Sequence, residues 1–212
     1  MRNSTKAGTA HSARGLRITG GTLTGRRLRT PRSGLRPSSD RVRESLFARI
    51  PLLADCAVLD LYAGSGALGI EALSRGARTL VAVDRANGSL SVLRENFASL
   101  GLDRAVRIFG CDVVAALHRL SAEKESFDLV LLDPPYASGE AERALTALAG
   151  SDLLAADALV VLERARRSTC PQVEGLALLD ERRYGETVIT RFQRVAGVVS
   201  PGEHHTGKGL PG

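Results

Sequence analysis

The chain has 212 residues, enough for one domain with a real core, and its 43% hydrophobic and 25% charged content is ordinary for a globular protein. No apolar run approaches the roughly 18 residues of a membrane span, and the polar, basic start lacks the apolar stretch of a signal peptide. Three scattered cysteines, Cys56, Cys111 and Cys170, have no paired metal spacing and point to reduced thiols, so a cytoplasmic protein with no structural metal is expected.

Charge is unevenly spread. Residues 1–50 hold 12 Lys/Arg against 2 acids, and the remaining 162 residues are net −4. A basic segment on a mildly acidic domain suits a polyanion such as nucleic acid, although a solubilising tail has the same composition. Residues 1–14 read as a disordered leader. Leu16-Arg17-Ile18 and the run from Leu23 to Leu28 flank Thr19-Gly20-Gly21, which predicts a small hairpin exposing Arg17, Arg26, Arg27 and Arg29. After Arg36, Ser38 or Ser39 can cap a helix with Asp40 at its positive end. Val42, Leu46 and Ile50 recur every four residues and Phe47 widens that stripe, so Arg41, Arg43 and Arg49 are expected to point away from the core. Residues 15–50 thus predict an RNA-facing extension, with a plain solvated helix as the alternative.

From Ala57 the pattern becomes strand–helix alternation, the mark of a parallel sheet. The predicted strands are Val58-Leu59-Asp60-Leu61, Leu80-Val81-Ala82-Val83, the run from Val106 to Phe109, the run from Phe127 to Leu132 and the run from Ala158 to Leu162. Helices are expected from Ala67 to a stop at Gly76, through Leu90, Leu93, Phe97 and Leu100 to Gly101, through Leu117 and Leu120, and after a Ser138 cap through Leu145 and Leu148. Ala177-Leu178-Leu179 and the run from Thr187 to Phe192 bracket Tyr184-Gly185-Glu186 as an antiparallel hairpin. Residues 51–195 therefore form one α/β unit, and residues 196–212 read as a disordered tail.

Gly64-Ser65-Gly66-Ala67-Leu68-Gly69 is a GxGxxG between strand and helix, with Asp84 closing the next strand. Dinucleotide sites and S-adenosylmethionine sites share that geometry, so a nicotinamide oxidoreductase is one candidate. Asp60, four residues before the loop and expected at the mouth of the same crevice, would repel a diphosphate but attract the ammonium and sulfonium of S-adenosylmethionine. Asp84 then suits the ribose diol, and Asp112 can accept from an adenine amine or cap a helix.

Asp133-Pro134-Pro135-Tyr136 follows the apolar strand Leu129-Val130-Leu131-Leu132. Neither proline has an N–H, so the turn offers acceptors without competing donors. A carboxylate, the Pro134 carbonyl and an aromatic ring suit a planar base carrying an exocyclic amine.

The stretch from Asp60 to Gly76 closely resembles the RsmD family of bacterial ribosomal RNA methyltransferases. So do Ile18-Thr19-Gly20-Gly21, Gly25-Arg26-Arg27-Leu28, the segment from Arg36 to Phe47 and the Asp133 tetrapeptide. The similarity runs from about Leu16 to Phe192, departing at Ala48-Arg49 and Ser38-Ser39. It implies a Rossmann-like class I S-adenosylmethionine-dependent methyltransferase with a mostly parallel sheet, a C-terminal antiparallel hairpin and a small N-terminal extension. The implied reaction is methyl transfer to the N2 amine of one guanine in 16S rRNA, within an assembling 30S particle, by a monomer that engages no membrane. The implied catalytic residues are Asp133, Pro134, Pro135 and Tyr136. The implied cofactor residues are Asp60, Tyr62, Gly64, Ser65, Gly66, Asp84, Arg85, Asp112 and Val113, and RNA contacts fall to Arg17, Arg26, Arg27, Arg36, Arg41 and Arg43. The tetrapeptide by itself equally admits an adenine-N6 methyltransferase acting on DNA or RNA, and a non-catalytic RNA-binding assembly factor would share the basic segment.

Overall fold

In the computed structural model the described residues are 16–31, 39–50, 53–135 and 139–195. Seven strands form one sheet in the order β3-β2-β1-β4-β5-β7-β6. They are β1 (Ala57–Leu61), β2 (Thr79–Val83), β3 (Val106–Phe109), β4 (Phe127–Leu132), β5 (Leu154–Ala165), β6 (Leu176–Tyr184) and β7 (Thr187–Arg194). The first five are parallel, and β7 runs antiparallel between β5 and β6. The helices are α1 (Asp40–Phe47), α2 (Ala67–Ser74), α3 (Asn87–Leu100), α4 (Val113–Ala122) and α5 (Glu140–Ala149). All the parallel strands thus deliver their carboxyl ends to one edge, where the loops that carry chemistry gather.

The central strands are apolar on both faces because both faces are covered. Leu59, Leu61, Val130, Leu132, Val160 and Leu162 meet α4 and α5 through Ala116, Leu117, Leu120, Leu145 and Leu148. On the other face Val58, Leu80, Ala82, Leu129 and Leu131 meet α2 and α3 through Ile70, Leu73, Leu93 and Phe97. A fully buried side chain of this size contributes about 1.5–3 kcal/mol. β1 and β2 start one residue before their expected starts, β3 and β4 start where expected, and β5 runs from Leu154 to Ala165, beyond the expected run from Ala158 to Leu162. The capping residue of α5 is Gly139, with φ +89°, and not Ser138, which lies outside the described residues.

The basic N-terminal segment belongs to this second core. Ile18, Leu28, Val42, Leu46 and Phe47 are buried in it. Pairing between Leu16-Ile18 and Arg26-Leu28 is short, with a single bridge at Arg17 and Arg27. The Thr19-Gly20-Gly21 turn is docked and not a free tip: Thr19 donates through N and Oγ1 to the buried Glu71 carboxylate, and Ser74 Oγ donates to the Gly20 carbonyl. Ser39 caps α1, its hydroxyl accepting from Val42 N.

Arg17, Arg26, Arg27, Arg29 and Arg41 are exposed as expected, whereas Arg43 overturns the helical-stripe expectation. Its side chain is fully buried and donates to the Arg17 carbonyl and to Asp40 Oδ1. The hydrophobic period missed this because a guanidinium can be buried wherever carbonyl and carboxylate acceptors converge on it. Arg49 is also partly buried and pairs with Asp180. Residues 1–14, Arg36 and residues 196–212 lie outside the described residues. Among the described residues no helix is long and apolar enough to cross a membrane.

Arg43→Ala should cost about 1–3 kcal/mol by removing the buried guanidinium that the Arg17 carbonyl and Asp40 share, whereas Arg41→Ala should stay within about 0.5 kcal/mol. Urea unfolding of the two variants checks this; equal, small effects would return Arg43 to the surface.

Candidate active site

The glycine loop is held open by its own strand-end carboxylates. Asp84 Oδ2 accepts from Gly64 N at 2.8 Å, and Asp84 Oδ1 accepts from Ala86 N at 2.8 Å. Asp60 Oδ2 accepts from Gly69 N at 3.0 Å, and Gly66 N donates to the Ala63 carbonyl at 2.7 Å. Gly66 starts α2 at φ +79°, and a Cβ there would meet Leu93 Cδ1 at 2.7 Å. At Gly69 a Cβ would lie 2.9 Å from Asp60 Oδ2 and 2.6 Å from Leu80 Cδ2, so hydrogen there lets the acid reach the helix backbone.

Asp60 was expected at the mouth of the crevice. It stands beneath the loop instead, 1% exposed, because Gly69 N supplies the donor that a buried carboxylate needs. Burial, with the Asp84 charge adding and the Gly69 hydrogen bond opposing, lifts its pKa from 3.8 to about 7.

The remaining expected cofactor residues surround this loop. Tyr62, half-buried at φ +63°, donates its hydroxyl to Glu140 Oε2 at 3.0 Å, and burial and that carboxylate push its pKa up. Ser65 is buried, its carbonyl accepting from Asn96 Nδ2 at 2.8 Å. Asp112 caps α4 through Val114 N and pairs with Arg143 at 2.6 Å. Desolvation there is outweighed by the Arg143 and backbone hydrogen bonds, which hold its pKa down. Exposed Arg85 lies 3.8 Å from the same carboxylate, and Val113 is buried behind it.

Asp133 stands one residue beyond β4, with its N–H toward the Leu61 carbonyl. The Leu132–Leu162 register sets it beside Glu163 of β5, which is 3% exposed. Burial first, then the Glu163 and Asp60 charges, raise the Asp133 pKa well above the usual carboxylate range. Next to it a cleft of about 430 Å³ is lined by Pro134, Pro135, Gly139, Ala141, Glu163 and Arg167 among others. Tyr136 lies outside the described residues.

Two buried residues escaped the sequence reading. Glu163 follows the apolar run Leu159-Val160-Val161-Leu162 as Asp133 follows its own strand, so the same signal was available. Asn96 carried none: it sits mid-helix, donates to the Ser65 and Arg29 carbonyls and accepts from Arg29 N, tying the N-terminal segment to the glycine loop.

The donor set can be tested against its two candidate cofactors. A dinucleotide's diphosphate needs loop N–H groups free and little negative charge nearby. Here the Gly64, Gly66 and Gly69 N–H groups are spent on protein acceptors, two of them carboxylates. Carboxylates at the ends of β1, β2, β4 and β5, with Asp112 just past β3, suit a cation. Strand order and site together define a Rossmann-like fold of the S-adenosylmethionine-dependent methyltransferase class.

The family model described as Conserved hypothetical protein 95 matches residues 16–193. Ribosomal RNA small subunit methyltransferase D of Escherichia coli (strain K12) is 38% identical over 192 residues, covering 88% of this chain and 94% of the relative. The protein of the same name from Haemophilus influenzae is 32% identical over 84% of this chain and 93% of its own length. The solved structure of yhhF from Escherichia coli superposes with a TM-score of 0.73 at 35% identity, covering 84% of this chain and 97% of that one. Protein TTHA0928 of Thermus thermophilus gives a TM-score of 0.71 at 34% identity, with 83% and 98% covered. The chain belongs to the Conserved hypothetical protein 95 family, the RsmD family.

Because Asp60 holds its proton more tightly when folded, its contribution to stability is full below about pH 4 and is lost as pH rises through about 7. The loss amounts to roughly 4 kcal/mol. Asp60→Asn should therefore match the parent near pH 4 and exceed it at pH 8 in urea unfolding of the cofactor-free protein. A stability difference that does not change with pH would contradict the buried, raised carboxyl.

Proposed function

We propose that this protein is an S-adenosylmethionine-dependent ribosomal RNA methyltransferase acting on the exocyclic N2 amine of a guanine in 16S rRNA, within an assembling 30S particle. The observation that carries the reading is the pairing of a loop whose donors are already spent on carboxylates with the Asp133–Pro134 acceptors at the adjacent strand end. The names of the relatives support the ribosomal RNA substrate, and the family supports guanine N2 over adenine N6. Residues 15–50 serve the RNA-facing side and residues 51–195 the methyltransferase unit. A cytoplasmic monomer fits this reading.

S-adenosylmethionine supplies an electrophilic methyl group on its sulfonium. Asp60 and Asp84 bias the pocket toward that cation, with Asp84 and Asp112 available to its ribose and adenine. The base amine is a poor nucleophile because its lone pair is delocalised into the ring. Asp133 and the Pro134 carbonyl accept its two hydrogens and turn the lone pair outward, and Tyr136 stacks on the ring, worth about 1–3 kcal/mol. Methyl transfer to the amine would place positive charge on nitrogen, where the adjacent Asp133 carboxylate would stabilise it. The Asp133 carboxylate, already accepting from the amine, is also placed to take the departing N–H proton.

Asp133→Ala should reduce methyl incorporation into 16S rRNA by at least about 10²-fold, with S-adenosylhomocysteine binding by calorimetry nearly unchanged. Nucleoside analysis of the product should show N2-methylguanine. Methyladenine in its place would move the target to N6, and full activity of the folded variant would remove Asp133 from the chemistry.

A further inference from the structure

Four arginine side chains on the antiparallel side of the sheet take no part in the reaction proposed above, although that of Arg167 lines the cleft beside Asp133. Arg166 and Arg167 follow β5, and Arg182 and Arg183 stand on β6; all four are exposed. None has an ion-pair partner among the described residues. Their neighbours differ. Arg164 pairs with Glu181, while Arg49 and Arg191 both pair with Asp180, so the acids of β6 are consumed by arginines that hold the sheet together.

Register places these free cations at the chemical edge. Leu132 pairs with Leu162, Glu163 with Ile189, and Ile189 with Arg182, which sets Asp133, Glu163, Ile189 and Arg182 in one row across β4, β5, β7 and β6. Three interstrand spacings put Arg182 roughly 15 Å from Asp133. Arg183 occupies the next row with Val188 and Arg164. Arg166 N donates to the Glu186 carbonyl, which joins the β5 end to the β6–β7 turn, and Arg167 lines the cleft beside Pro134 and Pro135.

The N-terminal surface reaches the same place. Ser45 Oγ and Tyr184 Oη are 2.5 Å apart, so α1 rests on the hairpin tip. Exposed Arg41 lies one turn before Ser45 on the same side of the helix. Opposing charge at this edge comes from the exposed Glu44, Glu142 and Glu186, fewer than the five exposed arginines, which leaves it positive beside a cleft whose floor is negative.

We propose that Arg166, Arg167, Arg182 and Arg183, continued by Arg41, form a phosphate-gripping rim that holds the RNA strand flanking the base placed at Asp133. The proposal rests on the RNA-methyltransferase reading above and adds to it a second contact surface, on the opposite side of the cleft from the glycine loop. Floor and rim divide the work by charge: carboxylates take the cationic donor and the amine, and guanidiniums take the phosphodiesters. A phosphate-bound arginine releases counterions, so each contact steepens the salt dependence of binding by nearly one power of the salt concentration.

The test is binding of a 16S rRNA transcript by fluorescence anisotropy across a potassium chloride series. It compares the parent, R166Q/R167Q/R182Q/R183Q and the control R78Q/R104Q, whose exposed arginines precede β2 and β3 at the opposite end of the sheet. The rim variant should lose about tenfold or more in affinity near 0.1 M salt, and its log–log slope should flatten by roughly 3. S-adenosylhomocysteine affinity should stay within about twofold. The control should keep the parental slope. A parental slope in the rim variant, or equal flattening in the control, overturns the rim while the parent's methyl transfer to RNA still stands. A parent that neither binds nor methylates RNA overturns the reading beneath it.

Discussion

A carboxylate gripping a backbone N–H at each end of the glycine loop is the constraint on which the rest of the structure depends. Asp84 holds the loop's first glycine and Asp60 holds its third, so the turn is braced from two neighbouring strands. That bracing uses the donors that would otherwise make the loop an anion site. One arrangement therefore fixes the backbone and reverses the electrostatic preference of a motif shared with dinucleotide enzymes. The chemistry admitted at this edge follows from where those two acids point.

Burying acids so close together is costly, and the raised proton affinities of Asp60 and Asp133 record that cost. With Glu163 beside Asp133, three acids share the neighbourhood of the strand ends. Such a cluster destabilises the empty protein in its fully ionised form and favours a cationic occupant, the usual trade between folding and function at an active site. The same cluster suits an amine that becomes positively charged as it reacts.

The basic N-terminal segment is part of this machinery and not an appended tail. Its aliphatic residues complete the second core, its Thr-Gly-Gly turn is clamped on Glu71, and its backbone at Arg29 is tied through Asn96 to the carbonyl of Ser65 in the glycine loop. The surface that would meet RNA and the loop that would meet the cofactor thus share a single buried side chain. On the far side of the cleft, α1 leans on the β6–β7 tip, so the N- and C-terminal portions of the chain close around the same edge.

Alternation of apolar runs with helical stripes was enough to establish the parallel sheet, its strand-end acids and the C-terminal hairpin, because parallel strands covered on both faces must be apolar throughout and helices one-sided. Spacing also exposed the glycine loop and the Asp-Pro-Pro turn, whose chemistry is local. Hydrogen-bond partners were decided only by tertiary structure. Arg43 looked like surface until the Arg17 carbonyl was brought to it beside the Asp40 of its own helix, Asp60 sank beneath the loop to meet Gly69, and Asn96 acquired its role from two segments distant in sequence. Periodicity reports which face a residue occupies, but whether a polar group can be buried there depends on acceptors and donors that folding brings from elsewhere in the chain.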